Sequence, residues 1–320
     1  MDAFDVSTTI QDVLGRFKHN ADQKTYVITG PSVNSIGAEV ARSLALCSPK
    51  RLILVGRAQK RIQPVVDEIK TLNPSVSVYF IQMDFLDLET VRSGTFAIKE
   101  ITGEIHGLIN CAGIMAPREY RESKYGVESQ FAANHVGHFL LTNLLIAELG
   151  RGGGVVANVS SNAYVLAEVN LDDPNFQHGE TYNGWLAYGQ SKTANILFTV
   201  ALANRANKLG IVAFAVDPGI ILETSLQENS AITQEYFMSG FEIATQRNGG
   251  IPPPQHPPVS INQGTAVLLW SVLDPALRKS SGSWLQECQI RSARDYATNA
   301  DYAEKLWNLS ETLVGQKFEI

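Results

Sequence analysis

Residues 25–46, TYVITGPSVNSIGAEVARSLAL, read as strand, turn and helix in direct succession. The run 25–29 carries the β-branched and aromatic residues of a buried strand, and Gly30 ends it. Apolar residues then recur at helical spacing from Ile36 onward, with Gly37 inside the first helical turn. Glycines at these two places let the backbone approach a pyrophosphate. The helix N-terminus behind them offers free N–H groups and the positive end of its dipole. A glycine pair alone is weak, but it gains weight after the first strand of an alternating chain.

The rest of the chain alternates in the same way. Strands are expected at 25–29, 51–55, 77–83, 107–111, 154–160, 211–216 and 283–288. Helices are expected at 36–47, 58–72, 87–101, 127–149, 185–208, 262–273 and 299–314. Strands apolar on both faces, separated by helices, imply a parallel sheet covered on both sides. The fold class is therefore α/β: one domain over 1–320, a doubly wound parallel sheet of about seven strands in the Rossmann manner. Residues 1–22 form an N-terminal helical extension, with an amphipathic helix over 5–19 laid on the outside. Residues 220–260 break the rhythm and end in GGIPPPQHPP, too proline-dense for helix or central strand. This stretch is expected to be a substrate loop inserted after the sixth strand.

Composition removes several function classes. The net charge of −6 gives no electrostatic case for nucleic acid or an anionic membrane. Three scattered cysteines, Cys47, Cys111 and Cys288, argue for a reducing compartment rather than a disulfide framework. No stretch is apolar and long enough to span a bilayer, and MDAFDVSTTIQD lacks the order of a secretory leader. A cytoplasmic protein is the expectation. His135 and His138 stand three apart with no third ligand at a credible spacing, so no metal is expected.

Tyr188 and Lys192 lie one helical turn apart, with Ser161 twenty-seven residues upstream. A phenol beside an ammonium is expected to be acidified, because the cation favours the phenolate. With a serine hydroxyl holding a carbonyl oxygen, the set suits proton delivery to, or removal from, a carbonyl or alcohol oxygen.

Together these motifs make the chain resemble a classical single-domain short-chain dehydrogenase/reductase over about residues 24–290. Within that family it is similar to retinol-dehydrogenase-like and fungal secondary-metabolism reductases. The resemblance rests on Thr29, Gly30, Ile36 and Gly37; Asp84; N-C-A-G at 110–113; Asn134; Ser161; Tyr188 with Lys192; and D-P-G at 217–219. The phosphate turn departs from the family's T-G-x-x-x-G-x-G. It is one residue longer and lacks the middle glycine, so Asn34 or Ser35 must take that place. Asn tolerates the left-handed conformation better than most residues. Cys111 stands where the family commonly has Asn or Ala.

The resemblance implies roles. Tyr188 is the general acid for reduction and the base for oxidation. Lys192 lowers the Tyr188 pKa and holds the nicotinamide ribose, and Ser161 orients the carbonyl. Ser160 is the alternative hydroxyl, but the family pattern favours the second serine. Asn134 interrupts its helix and holds a water linking Lys192 to solvent. Gly30, Ser32, Asn34, Ser35, Ile36 and Gly37 form the phosphate turn. Asp84, with Phe85 beside it, accepts from the adenine amino group, and Asn110, Ala112 and Gly113 form the wall behind the adenosine ribose. Pro218, Gly219 and Ile221 pass over the nicotinamide, with Thr224 as the carboxamide partner. At the end of the second strand stands Arg57, not the Asp or Glu of a NAD site. A guanidinium there suits a 2′-phosphate, so the expected cofactor is NADP(H).

Met115, Tyr164, Tyr182 and Trp185 flank the catalytic positions and point to a hydrophobic ketone or aldehyde. Two other readings stay open: non-redox isomerase, cyclase or dehydratase chemistry on the same scaffold, and a non-catalytic nucleotide-sensing regulator. Family relatives often pair through two long helices, here 127–149 and 185–208, and a homodimer of that kind is expected. Residues 1–20 or the tail after 295 could instead cover that surface and leave a monomer.

Overall fold

Thr25–Thr29 forms strand β1 at the centre of the sheet, buried at all five positions because helices cover both faces. The computed structural model describes residues 3–226, 232–254 and 256–320. The other strands are β2 (Arg51–Gly56), β3 (Ser77–Gln82), β4 (Gly107–Asn110), β5 (Val155–Val159), β6 (Val212–Asp217), β7 (Trp284–Gln286) and β8 (Gln289–Arg291). Their order is β3-β2-β1-β4-β5-β6-β7-β8, with all neighbours parallel except the antiparallel β7–β8 pair. The chain runs outward from β1 to β3, then crosses back to place β4 on the other side of β1. That reversal opens a crevice outside the carboxyl ends of the strands, where open α/β sheets bind ligands.

The sheet has eight strands rather than about seven. β8 turns back from β7 through Glu287 and Cys288, both in the left-handed region. Three residues are too few for an alternation to register in the sequence.

Two helices differ from expectation in ways that bear on the site. The segment 127–149 is not one helix. It runs through a single turn at Ser129–Phe131, a π-helical stretch Ala132–Val136, then Gly137–Leu144 and Ile146–Gly152. Within 220–260, expected as irregular loop, lies the helix Gln234–Arg247, capped by the Thr233 side chain. It buries only Gly240 and Ala244, so it carries no strong apolar stripe. Gly240 packs directly on the Trp185 ring, where a Cβ would come within 2.9 Å. Residues 227–231 and 255 of that expected loop lie outside the described residues.

At the N-terminus the helix is Ile10–Phe17, shorter than 5–19, with a capping box between Thr9 and Asp12. It docks Ile10 and Val13 on the helix Ile261–Leu273, and Asn262 Oδ1 accepts from Ile10 N at 2.8 Å. At the other end the helix Ala300–Val314 packs along Gly184–Ala206. Its Trp307 is 1 % exposed, against Phe139 and Phe198, with the Arg205 guanidinium 4.4 Å from the ring centre.

Candidate active site

The phosphate turn is built by close approach. Gly30 has φ +69°, and a Cβ there would sit 2.8 Å from the Ala112 Cα, so β1 and β4 could not converge around any other residue. Asn34, at φ +60°, adopts the left-handed conformation at the place of the missing glycine. Ser35 then caps the helix Ile36–Ala45: its Oγ accepts from Ala38 N and donates to Gly30 O at 3.0 Å. Gly30, Ser32, Ser35, Ile36 and Gly37 line a cleft of about 1240 Å³. Asn34 does not line it; its carbonyl instead accepts from Ser225 N at 2.9 Å, tying the turn to the segment after β6.

At one end of the cleft stand Arg57, Arg61, Asp84 and Phe85. Arg57 is exposed directly after β2, and no partner of its guanidinium is found among the described residues. Arg61, one turn further along, shares the same wall. Asp84 holds its turn through Leu86 N at 3.0 Å, and Phe85 stacks on His138 at 4.1 Å between ring centres. Cys111, Ala112 and Gly113 form the facing wall. Asn110 does not. It is buried inside β4, where its Nδ2 donates to Asn158 Oδ1 at 2.8 Å, so its part is to join β4 to β5.

The chemical end forms where β5 meets the helix Gly184–Ala206. The two serines after β5 point apart. Ser160 Oγ donates inward to Lys192 O at 2.7 Å, whereas Ser161 faces the cleft and its hydroxyl interacts with the Tyr188 phenol. Lys192 Nζ donates to Val159 O at 3.0 Å and lies 5.4 Å from the Tyr188 ring centre. All three side chains therefore reach one wall.

The electrostatics differ from the expected acidified phenol. Burial pushes the Tyr188 pKa well above the ordinary tyrosine value; the Ser161 hydrogen bond pulls it down and the nearby Asp217 charge pushes it up. Burial also depresses Lys192, to about 8. Desolvation is the largest influence on both groups, which the spacing of a sequence motif does not reveal.

Asn134 interrupts its helix as the resemblance implies, within the π-helical stretch Ala132–Val136. Its Oδ1 accepts from Ile114 N at 2.8 Å, and its Nδ2 donates to Ile114 O and to Ser191 Oγ, both at 2.9 Å. It sits in the π-helical stretch but does not line the cleft; Ala133 does. The side chain works as a strut between the segment after β4 and the long helix.

Pro218, Gly219, Ile221 and Thr224 line the cleft, with Thr224 buried just before helical residues Ser225 and Leu226. Asp217, which the sequence offers only as part of a motif, is buried at the end of β6. It accepts from Gly219 N at 3.0 Å and Gln286 Nε2 at 3.1 Å, and burial raises its pKa to about 6.

Met115, Tyr164 and Trp185 lie on the substrate side. Tyr182 does not: its hydroxyl donates to Pro117 O at 2.9 Å and accepts from Gln130 Nε2 at 3.1 Å, outside the cleft. The helix Gln234–Arg247 adds Phe237, Met238, Phe241 and Ala244, and the segment after β8 adds Ser292 and Arg294. The Phe237–Phe241 spacing was the one signal in the sequence for this cap, and the neighbouring prolines obscured it.

His135 and His138 diverge. His135 Nε2 meets Ser310 Oγ at 2.7 Å, and His138 Nε2 meets Thr29 Oγ1 at 2.9 Å. Among the described residues no group of three or more His, Cys, Asp or Glu could hold a metal.

The family pattern described as short chain dehydrogenase matches residues 24–172. Oxidoreductase fscI of Fusarium equiseti is 34 % identical over 243 residues, covering 68 % of this chain and 94 % of that protein. Retinol dehydrogenase 12 of Mus musculus is 32 % identical over 302 residues, covering 92 % and 88 %. A crystal structure of an uncharacterised protein from Mycobacterium paratuberculosis superposes with a TM-score of 0.65 at 30 % identity, covering 93 % and 96 %. Levodione reductase shares the fold, with a TM-score of 0.60 at 18 % identity over 82 % and 95 % of the two chains. The chain belongs to the short-chain dehydrogenase family of oxidoreductases, which use a nicotinamide cofactor.

Proposed function

We propose that the chain is an NADP(H)-dependent reductase of a hydrophobic ketone or aldehyde, running in reverse as an alcohol dehydrogenase. The observation that carries this is the convergence of Ser161, Tyr188 and Lys192 on one wall of the cleft whose far end is the Gly30 turn. The cleft fits a dinucleotide: the Gly30 backbone has no Cβ in the way, the Ile36–Ala45 helix points its N-terminus at the turn, and Lys192 lines the wall between the two ends. The bound nicotinamide would supply hydride to the carbonyl carbon.

The chain's own residues then act on oxygen. Ser161 and Tyr188 offer hydroxyl donors where alkoxide charge grows. Tyr188 is neutral at pH 7, as an ordinary phenol is, and burial holds its pKa higher still, so it keeps its proton until a stronger base, the alkoxide, forms beside it. Lys192 is still mostly cationic at neutral pH and stabilises the phenolate left behind. The cap residues Phe237 and Phe241 and the prolines at 253, 254 and 258 shield the site from water.

Arg57 and Arg61 support the 2′-phosphate, since both line the cleft after β2 and no carboxylate stands between them. The retinol dehydrogenase relatives support an apolar substrate, retinol being an apolar alcohol. The unpaired thiols of Cys47, Cys111 and Cys288 support a reducing, cytosolic setting. Among the described residues no helix is long and apolar enough to cross a membrane.

The test is a panel of aromatic and alicyclic ketones with NADPH or NADH, assayed with wild type and Tyr188→Phe. Cofactor oxidation in wild type that falls roughly 10²–10⁴-fold in the variant supports the reading. Substrate conversion without cofactor oxidation, or tight NADPH binding with no turnover of any ketone, refutes it.

A further inference from the structure

Charge around the cleft is uneven. Among the described lining residues the only carboxylate is Asp84, while Arg57, Arg61, Lys192 and Arg294 are cationic. The chain as a whole is acidic, at −6. Under the reductase reading, on which this argument builds, Arg57 and Arg61 answer the cofactor phosphate and Lys192 serves the reacting centre. Arg294 is left without a task, at the opposite end from the nucleotide.

Its position is fixed. Arg294 N donates to Tyr164 Oη at 3.2 Å, and Tyr296 Oη donates to Tyr164 O at 3.0 Å. Tyr164 belongs to the turn Asn162–Leu166 that Ser161 caps, so the arginine backbone is pinned one turn from the active hydroxyl. The guanidinium makes one hydrogen bond among the described residues, Nη2 to Asn248 Oδ1 at 3.2 Å, at the end of the cap helix Gln234–Arg247. Unlike Arg247, which pairs with Glu168, it has no carboxylate partner there. Most of its forked donors remain unused beside Ser292. Leu166, Trp185 and Ala244 pack in one apolar cluster with Tyr188, and Ala244 lies one helical turn before Asn248, the partner of the guanidinium.

We propose that Arg294 binds a carboxylate on the substrate, which is therefore an amphipathic keto or hydroxy acid with its apolar body against the cap helix. A guanidinium presents parallel N–H donors that match a planar carboxylate, and an apolar surround strengthens the pair. Among the described lining residues, a doubly charged phosphate would find a single cation at that end of the cleft.

The experiment measures binding rather than turnover. Naphthylacetate and its methyl ester, neither carrying a reducible ketone, are titrated calorimetrically into the full chain with NADP+ present. Wild type should bind the acid at least roughly tenfold more tightly than the ester, the scale of one charge-assisted pair. Arg294→Met should erase that preference and Arg294→Lys should keep only part of it, since Lys lacks the fork. Equal binding of acid and ester by wild type, or a preference that survives Arg294→Met, overturns the proposal. An acid preference lost in Arg294→Met, alongside a ketone panel that shows no NADPH oxidation, upholds the anion site and removes the reductase reading instead.

Discussion

At Tyr188 two effects oppose each other. Desolvation raises the phenol pKa, the Ser161 hydroxyl lowers it, and desolvation is the larger. Lys192, buried beside it, loses part of its own proton affinity and titrates at about 8. The ammonium is thus present below pH 8 and lost as pH rises through that value. If the cation supports proton delivery, kcat/KM for NADPH in ketone reduction should show an alkaline limb near 8, since this ratio reports groups of the free enzyme. A profile flat through the alkaline range contradicts that role. A second prediction concerns Arg57→Ala, which should weaken NADPH binding by roughly tenfold or more and leave NADH within a few-fold. Equal losses for both, measured by fluorescence titration, remove the cofactor assignment. Sequence spacing located Ser161, Tyr188 and Lys192 but not their surroundings. It could not tell that Tyr182 bonds to Pro117 or that Asn134 is consumed by Ile114 and Ser191, because a motif carries no information about which neighbour a side chain meets.

The π-helical stretch Ala132–Val136 shows the same limit at the scale of an element. Its interruption at Asn134 was expected through the family resemblance alone; no local pattern in Ala-Ala-Asn-His-Val marks it, and the Asn134 side chain meets Ile114 and Ser191 there. Strands β1 to β6 were readable to within one residue at each end, helped by the apolar faces of the covered central strands, whereas β7 is shorter than expected and β8 was missed. The cap helix Gln234–Arg247 was not readable, because it faces a cleft rather than a core. The helix segment after Phe131 carries a further consequence. Burial depresses His135 and His138 from 6.5 to about 3, so both are neutral in the folded chain. Groups with depressed folded pKa values contribute stability above 6.5 that is lost as pH falls toward 3. Asp217 and Glu128, whose carboxyls burial raises to about 6 and about 7, act in the opposite sense over the same range, so the histidine contribution is read as the difference in Tm slope below about pH 6.5 between wild type and a variant lacking both imidazoles. His135→Gln with His138→Gln should flatten that slope; an unchanged slope contradicts the assignment.

For the whole molecule, the C-terminal helix matters most. Of Gly184–Ala206, only Leu186, Val200, Asn204 and Arg205 escape burial within the single chain. Of Gly137–Leu144, only Leu144 does. The helix Ala300–Val314 and Phe318 supply much of that cover. Pairing through 127–149 and 185–208 would have to displace it, so sedimentation should find a monomer, and a stable dimer contradicts this. Trp307→Ala should destabilise the chain by about 3–5 kcal/mol in urea unfolding, as for a large buried aromatic, whereas a loss under about 1 kcal/mol would mean the helix is not part of the core. The alternation of strands and helices made the sheet legible, but where the tail docks depended on long-range contacts that no local pattern encodes.

The most direct measurement follows the hydride itself. NADPH deuterated at the reactive nicotinamide carbon is mixed with an aromatic ketone and the chain, and the product is read by NMR. The account predicts deuterium on the carbinol carbon with wild type and its near absence with Tyr188→Phe. Product that forms without deuterium, or forms equally well in the variant, contradicts it.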